Sequence, residues 1–260
     1  MNDHPEVQRM MRVAEWLARR GWAEANAGNM SVRLSEGVHF ENEEPSMEVS
    51  LKKQFPSLEH RTFLVTSTRS RARDIPKDPE GNLGLLKIVD RGDKYLCRWG
   101  TAPPTSEFPA HLAVHDMCID KRPEIKAILH THPPHLIALS HMPDMQKPGA
   151  LNKALRAMHP EVGILVPDGI MSMDYRIPGS VELGEATREA LIDRNMVIWP
   201  MHGVVSIASD LDIALDQVEI VEKAAQIYLL VLSSGCEPVG LSAEQIMASR
   251  SYWGIEGGED

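Results

Sequence analysis

Over the first twenty positions, apolar residues recur at helical spacing: Val7, Met10, Met11, Ala14 and Leu17. Residues three and four apart share one helix face, so this spacing predicts an amphipathic helix that Gly21 ends. The period then shortens. NMSVRL (29–34) and TFLVTS (62–67) read as strands, the second rich in β-branched and aromatic residues. LGLLKIV (83–89) and KYLCRW (94–99) flank DRGD, which suits a hairpin turn. Residues 35–60 are polar, rich in Glu and Pro, and weakly periodic; they read as a variable loop or insertion.

Further on, Thr105 or Ser106 can cap a helix running to about Asp120. IKAIL (125–129) is a buried strand and PHLIALSHM (134–142) a helix. VGILVP (162–167), NMVIWP (195–200) and HGVVSIA (202–208) are apolar runs of strand length. SVELGEATREALIDR between them is helical, with Ser180 as its cap. The longest helix runs from Leu211 to Gly235, with Ile213, Val218, Val221, Ala225, Tyr228 and Leu232 as its stripe. Ser242 and Gln245 form a capping box for a last short helix, and the EGGED tail reads as frayed. Strands and helices mix without strict alternation. The expectation is one α/β domain over 1–260: a mixed, antiparallel-rich central sheet flanked by helices.

Composition narrows the partners. The net charge of −10 supplies no basic footprint for nucleic acid, while a small phosphorylated substrate needs only a local pocket of donors. No apolar run is long enough for a membrane span, and no secretory signal opens the chain. Three cysteines far apart, without a CxxC pair, fit a reducing compartment. A cytoplasmic protein is therefore expected.

Candidate chemistry starts at AILHTHPPH (127–135). Residues two apart on a strand point the same way, so His130 and His132 can share one ion. Taken alone, such a pair is more often a polar strand end. His135 breaks the alternation behind two prolines and is not counted as a ligand. His202, at the junction of two apolar runs beside Gly203, is either the third imidazole of a catalytic-type set or, the commoner case for such a residue alone, a satisfied histidine near the core. Glu107 in PTSEFPAH is either a carboxylate at a helix start or a general base. ANAGNMS is either a plain turn or an oxyanion-binding turn carrying Asn26 and Asn29. TSTRSRARD offers either solvated arginines or a phosphate cradle.

Taken in order, these pieces resemble the class II aldolase/adducin family. The resembling segments include GWAEANAGNMSVRL, FLVTSTRSRARDI, APPTSEFPAHLAVHDM, AILHTHPPHLIALSH, EVGILVPDGI and VIWPMHGVVSIASDLDIALDQVEIVEKAAQIYL. EVGILVPDGI and PTSEFPAH draw the likeness toward a ketose 1-phosphate aldolase branch. The resemblance implies Zn²⁺ on His130, His132 and His202, with Glu107 as the catalytic carboxylate. It implies that Asn26, Asn29, Thr68, Thr105 and Ser106 hold the substrate, chiefly its phosphate. Glu161 would be supplied across a subunit interface of a homotetramer. The implied reaction is aldol cleavage to dihydroxyacetone phosphate and an aldehyde. Another lyase, epimerase or dehydratase acting on sugar phosphates shares the scaffold, as does a non-catalytic adducin-like module. One departure stands out: where the family often has a glycine-containing turn, this chain reads Ser67, Thr68, Arg69.

Overall fold

Helix α1 (Pro5–Arg20) forms where the first spacing predicts it. Its start is capped by His4, and Gly21 closes it in the left-handed region at φ 71°. In the computed structural model, which describes residues 1–35 and 45–255, β1 follows (Asn29–Arg33). Then come β2 (Met47–Ser50), β3 (Thr62–Thr66), α2 (Pro79–Asn82), β4 (Leu83–Val89) and β5 (Lys94–Trp99). Helix α3 (Phe108–Lys121), β6 (Ala127–Thr131) and α4 (Pro134–Ser140) carry the chain to the histidine motif and past it. The remainder is α5 (Ala150–Met158), α6 (Val162–Leu165), β7 (Ile170–Ser172), α7 (Val181–Ala190), β8 (Met196–Trp199), β9 (Gly203–Ala208), α8 (Leu211–Ser233) and α9 (Ala243–Tyr252).

Among the described residues, the strands make one sheet in the order β2-β5-β4-β3-β1-β6-β9-β8-β7. Every pairing is antiparallel except β7 with β8. The sheet is thus mixed and antiparallel-rich, as the pattern predicts. Strand alternation decides which layer each residue joins. Ala127 and Leu129 of β6 enter the larger core with α1 and α8, whereas Ile128 joins Val114, Leu183 and Trp199 on the other face. Val218, Val221 and Ala225 of α8 are buried as expected, while Ile213 and Leu232 are exposed. Each fully buried aliphatic side chain contributes about 1.5–3 kcal/mol of transfer free energy. Among the described residues, no helix is long and apolar enough to cross a membrane.

Several expectations need correction. Within 35–60, Met47–Ser50 pairs with β5 as an edge strand, and Phe55 and Leu58 are buried. Four residues are too few for alternation to stand out against flanking polar sequence. VGILVP is not a strand: Val162–Leu165 is a helical turn, with the Val166 N–H donating to the Val162 carbonyl. A short apolar run carries no period of its own, so packing on α8 and α9 chooses its conformation. Helix α5 and strand β7 were not anticipated at all. Neither Thr105 nor Ser106 caps α3; Glu107 occupies the N-cap, and its N–H donates to Thr105 Oγ1 at 3.4 Å. The EGGED tail and residues 36–44 lie outside the described residues.

Candidate metal centre and active site

His130 sits at the end of β6, fully buried, with its Nδ1–H donating to the Val204 carbonyl at 2.9 Å. That bond sets the tautomer and leaves the Nε2 lone pair free. His132 lies just past the strand. Its Nδ1–H points to Glu24 Oε1 at 2.9 Å, again freeing Nε2. The two Nε2 atoms face each other at 3.2 Å. His202 arrives from the β8–β9 hairpin, where Met201 takes a left-handed φ of 62°. One ring nitrogen from each of the three histidines lies within 4.8 Å of the others.

This donor set fits a divalent cation. Nitrogens about 2.0–2.1 Å from one tetrahedral ion lie ~3.3 Å apart, close to the spacing of the His130 and His132 pair. Two facing lone pairs repel unless a positive charge lies between them. Two of the rings, His130 and His202, are also shifted toward the neutral form, the one that ligates. Burial, reinforced by the neighbouring His132 and His202, holds His130 well below the ordinary imidazole pKa. Burial and His132 lower His202 too, against the opposing pull of Glu107 and Glu24. At Glu24, burial acts to raise the pKa, but the His132 hydrogen bond and the nearby imidazoles bring it below the usual carboxylate value.

Gly203 explains why the late histidine is followed by glycine. A Cβ there would lie 2.6 Å from the Thr131 carbonyl oxygen and 2.8 Å from His132 Cδ2. The hairpin therefore approaches β6 closely enough to deliver His202 only when residue 203 has no side chain. Gly28 does the same for the first turn: at φ 75°, its missing Cβ would meet the His130 carbonyl oxygen at 3.1 Å.

Glu107 stands beside the histidines, its Oε2 3.8 Å from His130 Nε2. Asn29 Nδ2 donates to that same oxygen at 2.7 Å. Thr68 and Thr105 lie on adjoining loops: the Thr68 N–H donates to Pro103, and the Thr105 N–H to Thr66. Ser106 lines, with Thr105 and Glu107, part of a largely apolar cavity of about 340 Å³. Asn26 is exposed on the turn before Gly28. Glu161 is exposed at the N-cap of α6 and shares none of these contacts. His135 is turned away, its Nδ1 2.7 Å from the buried carboxylate of Glu222 on α8.

The departure at Ser67-Thr68-Arg69 keeps the backbone shape of a glycine turn, because Arg69 itself adopts φ 59°. An L-residue there bears a cost of about 1–2 kcal/mol. The Arg69 side chain is exposed and has no partner among the described residues. Arg69→Gly is expected to leave stability within about 1 kcal/mol, since relief of strain offsets glycine's added chain entropy. If the Arg69 cation serves a phosphate, the same change raises KM for a ketose 1-phosphate. Steady-state kinetics beside urea unfolding reads both, and an unchanged KM removes Arg69 from substrate binding.

Sequence reasoning passed over Glu24, Ser31, His111, His115 and Trp199. Trp199 stacks 4.3 Å from the His130 ring and is anchored by its N–H to Thr187 Oγ1. Ser31, His111 and His115 had a readable signal in their spacing: Asn29 and Ser31 two apart on a strand, and Glu107, His111 and His115 four apart along a helix.

Fold and site together define an α/β domain whose sheet end gathers three imidazoles next to a carboxylate. The chain belongs to the class II aldolase and adducin N-terminal domain family, whose model matches residues 8–229. It is 37% identical over 245 residues to a rhamnulose-1-phosphate aldolase of Bacteroides thetaiotaomicron, covering 93% of this chain and 91% of that one. An Enterococcus faecalis rhamnulose-1-phosphate aldolase is 30% identical, covering 89% and 85%. The crystal structure of a sugar-phosphate aldolase from Thermotoga maritima superposes with a TM-score of 0.82 at 40% identity. That match covers 90% of this chain and 98% of that one.

Proposed function

We propose that this protein is a zinc-dependent aldolase that cleaves L-rhamnulose 1-phosphate to dihydroxyacetone phosphate and L-lactaldehyde. The observation that carries this reading is the convergence of His130, His132 and His202 beside Glu107, in a chain similar to rhamnulose-1-phosphate aldolases. The three histidines hold the ion, and a zinc ion there supplies Lewis-acid polarisation of substrate oxygens. Glu107 moves the proton at the dihydroxyacetone phosphate carbon. Asn26, Thr68, Thr105 and Ser106 hold the phosphate half, so that binding energy orients the reacting carbons. Asn29 gives one amide N–H to Glu107 and keeps the second for substrate. Glu161, exposed and apart from the histidines, serves the aldehyde half of a neighbouring subunit in a homotetramer. The free cysteines Cys97, Cys118 and Cys236 suit a cytoplasmic setting.

The test pairs metal analysis with a coupled assay for dihydroxyacetone phosphate across a set of ketose 1-phosphates. Zinc near one per chain and preferential cleavage of L-rhamnulose 1-phosphate are expected. Absence of dihydroxyacetone phosphate release from every substrate overturns the reading. His202→Ala is expected to lower zinc content and turnover together, and a metal-to-protein ratio equal to the unaltered protein's removes His202 from the ligand set.

A further inference from the structure

Behind Glu107 and Asn29 runs a buried polar chain whose inner members, His111, Ser31 and His115, the proposed chemistry does not use. Asn29 Oδ1 lies 2.6 Å from His111 Nε2, His111 Nδ1 2.7 Å from Ser31 Oγ, and Ser31 Oγ 2.9 Å from His115 Nε2. Ser31 and His115 are fully buried; Asn29 is 8% exposed and His111 3%. The spacings interlock: β1 presents Asn29 and Ser31 on the face toward α3, and α3 presents Glu107, His111 and His115 one turn apart.

The direction of every proton in this chain follows from its acidic end. A carboxylate only accepts, so the Asn29 atom facing Glu107 is the NH2 nitrogen. Its oxygen therefore faces His111, whose Nε2 must donate. Burial, against the opposing charge of Glu107, lowers the His111 pKa to about 4, so the ring carries one proton and Nδ1 accepts. Ser31 gives its hydroxyl proton to that Nδ1 and accepts from His115 Nε2–H. The chain ends on His115 Nδ1, which has no partner among the described residues. As a lone pair rather than an N–H, it is the cheaper group to leave unpaired.

We propose that His111 is a positioning residue: oriented by Ser31 and His115, its Nε2–H locks the Asn29 amide so that the NH2 group holds the Glu107 carboxylate. Without that donor, the amide is free to rotate by half a turn and present its oxygen to Glu107. The carboxylate then loses both its hydrogen bond and its aim. The kinetic part of this proposal rests on the aldolase reading; the hydrogen-bond direction does not.

Two measurements separate them. Imidazole ¹⁵N NMR of the intact protein reads the tautomers directly, and Nε2–H is expected at both His111 and His115. Nδ1–H at His111 reverses the chain and overturns the proposal, whatever the reaction. For kinetics, His111→Phe is expected to lower kcat by about 100-fold, the scale of a misplaced reacting group, with KM and bound metal little changed. His111→Gln keeps a donor near the Nε2 position and is expected to recover most of the rate. A folded His111→Phe enzyme at wild-type rate sinks the proposal. An equal loss in His111→Gln does too, since ring packing rather than the N–H would then matter. If the unaltered protein releases no dihydroxyacetone phosphate, the aldolase reading fails and the tautomers alone decide.

Discussion

Glu107→Gln is expected to keep the fold and the bound metal while lowering turnover by roughly 100- to 10,000-fold, the range for loss of a positioned general base. The substitution is nearly isosteric. The Asn29 amide, 2.7 Å from Glu107 Oε2, can donate to the glutamine oxygen just as it does to the carboxylate. What disappears is a group that can accept and return a proton 3.8 Å from His130 Nε2. The measurement is kcat by dihydroxyacetone phosphate release, alongside metal analysis and a thermal unfolding midpoint. Turnover near the unaltered level would take Glu107 out of the mechanism. A loss of metal equal to the loss of rate would make it a structural ligand instead.

Gly203→Ala is the second large effect, and it acts through space alone. The new methyl would lie 2.6 Å from the Thr131 carbonyl oxygen, 2.8 Å from His132 Cδ2 and 3.1 Å from His130 Cε1. The first contact is with backbone inside the β6–β9 pairing and cannot yield cheaply. Either β9 moves off β6, carrying His202 away, or the His130 and His132 rings turn. Overpacking of this kind costs about 1–3 kcal/mol. The expected result is a lower urea midpoint together with loss of metal and turnover. Full metal content and normal turnover in Gly203→Ala would show that the close approach of the hairpin is not what assembles the site.

Much of the architecture was legible because it rests on local periodicity. The stripe of α1, the β-branched run of β3, the Ser180 cap and the Ser242–Gln245 capping box all appear where the residues place them. Two of the failures share a cause. Met47–Ser50 and Val162–Leu165 are too short to carry a period, so their neighbours decide them: β5 for the first, α8 and α9 for the second.

For the site, residue spacing alone shows that His130 and His132 can share a strand face, and that a carboxylate stands where α3 starts. Both are matters of backbone spacing within a few residues. That His202 joins them is visible only in the folded sheet. That depends on the sheet placing β9 beside β6 and on Gly203 being bare enough to let the hairpin in. The same holds for the chain from Glu107 through Asn29, His111 and Ser31 to His115. Its spacings are written in β1 and α3 separately. Its hydrogen bonds exist because the helix packs over the strand, where buried polar groups must find one another for want of water.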